Sequence, residues 1–380
     1  MSKKDTLALA ERKKSDRSTE SVTRSKSIAT ITTLTRTFLD EVDYSIPYTG
    51  GIPATTQRVV DQDGVIIFEG HNRIEIPGRF SVTSARVRTK NRKEMRTQVC
   101  VPKFKFGHNV AGYPGLQRSV KAVLQIVGKV VRQTFDEPWQ EPEKSGVTVN
   151  SVSLVRHLQF ATEEEAAGAV NEIQRLCAAH GMHILYFKQG ETVTASANPR
   201  QVTTTFYVKS KEMRSNPTAA RHPRIVDLLD AVHGWLRVEV RITPATLRKL
   251  GLETADRWKR GTADSVFEQL FAGFSFLSLS PVAATRATAG AELPLPLQRA
   301  VSLVRAGESL AANYAPSSVR RLCAQAAEYG LDIRAPVLSP EATLQLLNPA
   351  GRWVLDVPDR AKHIPGFDAQ YGDPINSDGP

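Results

Sequence analysis

Cysteine is scarce in this chain. Cys100, Cys177 and Cys323 are the three in 380 residues, and no two stand in a Cys-x-x-Cys spacing. That argues against a zinc knuckle and a disulfide framework and makes a reducing compartment the simple expectation. No apolar run is long enough to span a bilayer, and no apolar signal-peptide core follows Met1-Ser2-Lys3-Lys4. A Gly-x-x-x-x-Gly-Lys-Ser/Thr loop is missing, so nothing points to ATP chemistry, and no internal repeat is visible. What the chain has instead is positive charge. Its 50 Lys and Arg outnumber 39 Asp and Glu, for a formal net charge of +11. Such a balance favours a polyanionic partner through Coulomb attraction and counterion release, without saying which polyanion.

The hydrophobic pattern predicts an α+β fold, a mostly antiparallel sheet with packed helices followed by a helical C-terminal region. Residues 1–37 are rich in Lys, Arg, Ser and Thr. They carry too few apolar side chains to offset the entropy of ordering, so a mobile basic tail is expected there. A solubilising extension and a DNA-binding arm are both open readings of it. Residues 38–285 hold short alternating runs such as "FLDEVDYSIPY", "RFSVTSARVRT" and "TQVCVPKFKF", separated by Gly, Pro and Asn. They also hold two strong helical patterns. "LQRSVKAVLQIVGKVVRQTF" has apolar residues at helical spacing. "TEEEAAGAVNEIQRLCAAHG" offers Thr162 as a cap, three glutamates suited to the positive helix start, and Gly181 as a stop. Residues 286–350 read as two helices joined by a Pro-containing turn, where Arg299, Arg305, Arg320 and Arg321 fit either a duplex-DNA face or a solvated helix face. A Pro- and Gly-containing tail, 351–380, closes the chain.

Four stretches hold residue types that carry chemistry. In "TTTFYVKSKEM", read as a strand, Thr205, Tyr207, Lys209 and Lys211 share one face. Tyr207 is either an amphipathic packing residue or a phenolate nucleophile for a phosphodiester, and the second role needs a nearby cation. In "GWLRVEVRIT", Arg237, Glu239 and Arg241 share one face, either as an exposed salt-bridged ladder or as a phosphate-binding set. In "SLVRHLQFAT", His157 and Gln159 are two neutral donors at i and i+2. With Glu239 they would make a shell for Mg2+ or Mn2+; otherwise they are the polar face of a surface strand. In "KFGHNVAGYPG", His108 and Asn109 sit between two glycines before a helix. They mark either a phosphate-binding loop or a connection with a satisfied polar pair.

These stretches, in this order, resemble the filamentous-phage gene II family of replication initiators, patchily from about Leu39 to about Pro336. "GHNVAG" is similar to that family's Gly-His-Asn-Val-x-Gly signature. "TVTASANPRQVTTTFYVKSKEM" resembles its strand pair ending in Tyr-x-Lys and then Glu, here Tyr207, Lys209 and Glu212. "WLRVEVRITPATLRKLGL" resembles its Arg-x-Glu-x-Arg-Ile strand and following helix. The resemblance implies an endonuclease domain over 38–285 with a core like that of the rolling-circle (HUH) endonucleases. It implies that Tyr207 nicks one strand of a double-stranded phage origin through a 5′-phosphotyrosine, helped by Lys209 and Glu239, and later rejoins the displaced single strand. His108, Asn109, Arg237 and Arg241 would contact DNA. His157, Gln159 and Glu239 would bind the divalent ion, although the family carries an acid where this chain has His157. Host helicase and polymerase as partners, no membrane, and the host bacterial cytoplasm also follow from the resemblance. Two rivals stand beside it: a non-catalytic single-stranded-DNA-binding protein and a metal-free tyrosine recombinase.

Overall fold

The computed structural model describes residues 37–50, 57–60, 66–70, 73–90, 93–137, 139–187, 192–278, 280–281, 293–306, 308, 310–334 and 364–366. Apart from Thr37, the expected basic tail lies outside them, as do 286–292, 307, 309 and 335–350 of the expected 286–350 region and most of 351–380.

The strands are β1 (Phe38–Pro47), β2 (Gln57–Val60), β3 (Ile66–Gly70), β4 (Arg73–Pro77), β5 (Ser84–Lys90), β6 (Glu94–Cys100), β7 (Thr148–Gln159), β8 (His183–Phe187), β9 (Thr192–Asn198), β10 (Val202–Val208), β11 (Trp235–Ile242), β12 (Ser280–Pro281) and β13 (Leu331–Asp332). Nine of the strands among the described residues form one sheet in the order β4-β5-β6-β1-β7-β11-β10-β9-β8. Every neighbouring pair in it is antiparallel. The expected α+β architecture is therefore present.

The α-helices among the described residues are α1 (Val101–Phe106), α2 (Leu116–Phe135), α3 (Glu163–Ala179), α4 (Lys209–Ser215), α5 (Ile225–Ala231), α6 (Pro244–Leu250), α7 (Thr262–Phe271), α8 (Leu295–Arg305), α9 (Leu310–Asn313) and α10 (Pro316–Glu328). Period-2 alternation gives the central strands one apolar face: Phe206, Val208, Leu236, Val238, Val240, Leu154 and Leu158 are buried. They share one core with Val170, Ile173 and Leu176 of α3 and Phe267 of α7. Burying each such side chain contributes roughly 1.5–3 kcal/mol. α3 starts where its cap residues predict. Thr162 Oγ1 accepts from the Glu165 N–H at 3.1 Å, and Glu165 Oε2 accepts from the Ala161 N–H at 3.2 Å. The first bond satisfies a donor that the first turn leaves open, and the second ties the residue before the cap to the helix.

Two expected strands stop early. "TQVCVPKFKF" is extended only to Cys100, and α1 follows with Pro102 in its first turn, where a missing N–H costs nothing. "TTTFYVKSKEM" leaves the sheet at Val208. Good helix formers follow, and Lys209 pairs with Glu212 one turn on at 2.6 Å. Lys209 and Lys211 therefore do not continue the face of Tyr207. The three C-terminal helices have a small core of their own, with Leu297, Val301, Val304, Leu310, Leu322 and Ala326.

Candidate active site

Antiparallel register sets the site on the polar face of β10, β11 and β7. Tyr207 stands opposite Arg237, and Arg237 opposite His157. One step along, Thr205 faces Glu239 and Glu239 faces Val155. Tyr207 is half-buried, whereas Arg237 and Lys209 are 0% exposed. Their charges flank the phenol ring: Arg237 Cζ lies 5.8 Å and Lys209 Nζ 6.0 Å from its centroid.

Two buried cations need acceptors, because an unpaired one would cost several kcal/mol. Asn109 serves both. Its carbonyl oxygen accepts from Arg237 Nη1 at 2.5 Å, and its Oδ1 accepts from Lys209 Nζ at 2.7 Å. Lys209 Nζ also donates to Glu212 Oε2 at 2.6 Å, and Lys103 lies 3.6 Å from the same carboxylate. Arg237 Nη2 forms an ion pair with Asp40 at 2.5 Å and lies 3.5 Å from Glu239. Cys100 Sγ donates to Asp40 Oδ1 at 3.2 Å. The buried Nε of Arg237 and Nε2 of His157 have no hydrogen-bond partner among the described residues.

Protonation follows from this packing. Burial brings Lys209 down to about 8, against the pull of Glu212. Burial alone would raise Glu212, but Lys209 and Lys103 outweigh it and hold that carboxyl below its ordinary value. Burial would likewise raise Asp40, and Arg237 together with Lys103 holds it low. Glu239 goes the other way, raised by burial and by the Asp40 charge despite Arg237. Burial lifts the Tyr207 phenol well above its usual range; Arg237 counters that rise in part. At neutral pH the phenol is therefore protonated, and Glu239 takes a proton more readily than an ordinary carboxylate does.

The residues expected from sequence are only partly gathered. Tyr207, Lys209, Arg237 and Glu239 come together. Arg241 lies farther along β11, exposed, 4.0 Å from Glu41. His108 and Asn109 do not present themselves to DNA: both are buried. His108 Nε2 meets the Pro365 carbonyl at 2.7 Å, and its Nδ1 accepts from the Val110 N–H at 3.3 Å. Burial draws His108 down to about 3. This loop is thus a connection with a satisfied polar pair, and its asparagine holds the cations in place. Asp40 was not visible as a site residue in the sequence. Its strand reads as ordinary alternation, and only the arginine of β11 gives it a partner.

The expected ligand set for Mg2+ or Mn2+ does not fit. Gln159 stands opposite Trp235, and Glu239 stands opposite Val155. Those positions are four residues apart along β7, about 13 Å at the strand rise. Gln159 Nε2 donates to the carbonyls of Phe160 at 2.6 Å and His233 at 3.2 Å, at the strand end. His157 lies between the Phe38 and Trp235 rings, with centroids at 5.7 and 4.8 Å. Its neighbour across the strand is a guanidinium, and burial keeps it neutral. Among the described residues no three His, Cys, Asp or Glu side chains gather as metal ligands.

Residues 39–261 match the family model for the N-terminal region of the replication-associated gene II protein. Among solved structures, a rolling circle replication initiator protein from Geobacillus stearothermophilus aligns at 10% identity over 62% of this chain and 84% of that chain, with a TM-score of 0.28. No curated protein matches the chain.

Proposed function

The chain belongs to the family of replication-associated gene II proteins, whose N-terminal model spans more than half of it, and from that premise we propose that it initiates rolling-circle replication by nicking one strand of a duplex origin. The observation that carries this reading is the half-buried Tyr207 flanked by the buried cations Arg237 and Lys209. A phenol on a sheet needs no such company for packing. A phenol that must become a nucleophile does, because nearby positive charge stabilises the phenolate and the phosphorane charge that follows, more strongly in a site shielded from water.

In this mechanism the Tyr207 oxygen attacks the scissile phosphorus in line. Its proton passes to Glu239. The bond from phosphorus to the 3′ oxygen breaks, that oxygen takes a proton from water, and a 5′-phosphotyrosine is left beside a free 3′ hydroxyl. The phosphodiester energy is kept in the new ester, so rejoining the displaced strand needs no ATP. Arg237 acts through its charge, fixed by Asp40 and Asn109. Lys209 supplies a second positive charge from its pair with Glu212.

The test is incubation with supercoiled phage replicative DNA, with Mg2+, with Mn2+ and with EDTA, followed by peptide mapping of any protein–DNA adduct. The adduct is expected on Tyr207. Tyr207→Phe keeps the ring and its packing, so it should abolish nicking and adduct while leaving DNA affinity within about twofold. An adduct on another residue would overturn the assignment. DNA binding with no adduct under any metal condition would favour the non-catalytic single-strand-binding alternative.

A further inference from the structure

α8, α9 and α10 form a compact unit around one core, in which Leu297, Val301 and Val304 of α8 meet Leu310 of α9 and Leu322, Cys323 and Ala326 of α10. α9 is a single turn, Leu310–Asn313. Only Tyr314 and Ala315 separate it from α10, Pro316–Glu328. A supporting helix, a short second helix, a tight turn and a longer third helix are the parts of a helix–turn–helix. α10 is amphipathic. Leu322, Cys323 and Ala326 point into the unit, while Ser317, Arg320, Arg321 and Ala324 are exposed on the opposite side. Arg299 and Arg305 of α8 are exposed as well.

None of Arg299, Arg305, Arg320 and Arg321 has a carboxylate partner among the described residues. Arg320 Nε reaches only the Pro316 carbonyl of its own helix, at 3.4 Å. The nearby Glu308 carboxylate accepts from Asn313 at 3.2 Å. Exposed like charges without counter-charges repel, and a polyanion would relieve them. The small side chains of Ser317 and Ala324 let a second surface approach the helix closely. A 13-residue helix is about 20 Å long and about 10–12 Å across with side chains, which suits the roughly 12 Å major groove. The unit is tied to the sheet domain through β13. β13 pairs with β12, and Asp332 and Arg334 contact His180 at 3.2 and 3.1 Å.

We infer that α10 is a recognition helix, inserted into the major groove of duplex DNA. The inference rests on the replication-initiator reading and gives it a duplex-reading surface separate from the tyrosine that cuts.

The experiment uses the full chain and two probes, a random-sequence duplex of about 30 base pairs and a single strand of equal length, read by fluorescence anisotropy across salt concentrations. Arg320→Ala/Arg321→Ala should lower the log–log salt slope on duplex by about 2, since each phosphate contact contributes about 0.9, and leave the single-strand slope unchanged. Ala324→Tyr keeps the charge but blocks close approach, and should weaken duplex binding about tenfold or more. Circular dichroism checks that each variant is folded. Duplex binding unchanged in both variants would overturn the inference, as would equal losses on both probes. A change in oligomeric state with the duplex slope intact would assign the face to a second copy of the chain. These readouts do not depend on the tyrosine adduct, so failure of the nicking reading and failure of this one are told apart.

Discussion

A single buried asparagine organises the candidate site. Asn109 receives Lys209 on its side chain and Arg237 on its backbone, so two like charges share one neutral hub and each finds its own carboxylate. His108 beside it is held neutral. In the unfolded chain an imidazole takes a proton near 6.5, whereas folded His108 waits until about 3. Between those values the unfolded chain binds more protons, so stability falls as pH drops through that window. At pH 5 the loss is about 2 kcal/mol for one such histidine. His108→Gln should flatten this dependence, seen as a smaller shift of the urea midpoint between pH 7 and pH 5 than in the unmodified chain. An equal shift in both proteins would assign the acid sensitivity elsewhere, with His157 as the next candidate.

At the scale of elements, the site depends on how β11 enters the sheet. Gly234 precedes it with φ +69°, and a Cβ there would lie 2.3 Å from the Phe160 carbonyl oxygen. At the end of β7 the Phe160 N–H donates to the Gly234 carbonyl at 2.9 Å, and the register that follows places Arg237 between His157 and Tyr207. Gly234→Ala meets both a left-handed backbone and a clash with main chain. It should destabilise the protein by about 2–4 kcal/mol, measured by urea unfolding, and depress nicking in whatever fraction stays folded. A loss under about 0.5 kcal/mol would mean that the turn can move without consequence. The end of β10 matters equally. Because the chain turns into α4 at Lys209, the lysine swings inward to Asn109, where a continued strand would have put it on the open face.

At the scale of the whole molecule, distant sequence closes over the site. Ile364 is 1% exposed and packs with Val110, Leu228, Val232 and Trp235, and the Pro365 carbonyl is the partner of His108. A stretch expected to belong to a C-terminal tail is thus part of the structure around the Gly-His-Asn loop. Deleting residues 335–380 should remove the Ile364 burial and leave the His108 Nε2 without its carbonyl. Together these are roughly 2.5–6 kcal/mol, read as a lowered urea midpoint. An unchanged midpoint would show that the docked segment contributes nothing to stability.

The sequence by itself determined most of the element types and their faces, though not where the strands before Val101 and Lys209 end. Period-2 runs became strands and the 3.6-residue pattern became α2. Thr162 capped α3 as its position predicted. Tyr207 and the Arg237–Glu239–Arg241 face were legible because strand alternation is local. Tertiary structure alone decided who meets whom. Asp40 pairs with Arg237 from the far end of the domain, and Lys209 reaches Asn109 across 100 positions of sequence. No local spacing encodes those contacts, since they arise only when β1, β7, β11 and β10 take their order in the sheet. The same register separated Gln159 from Glu239, because antiparallel pairing runs their positions in opposite directions from His157. Burial did the rest: it drew arginine, histidine and asparagine into an internal network, since charged groups shielded from water must find partners inside.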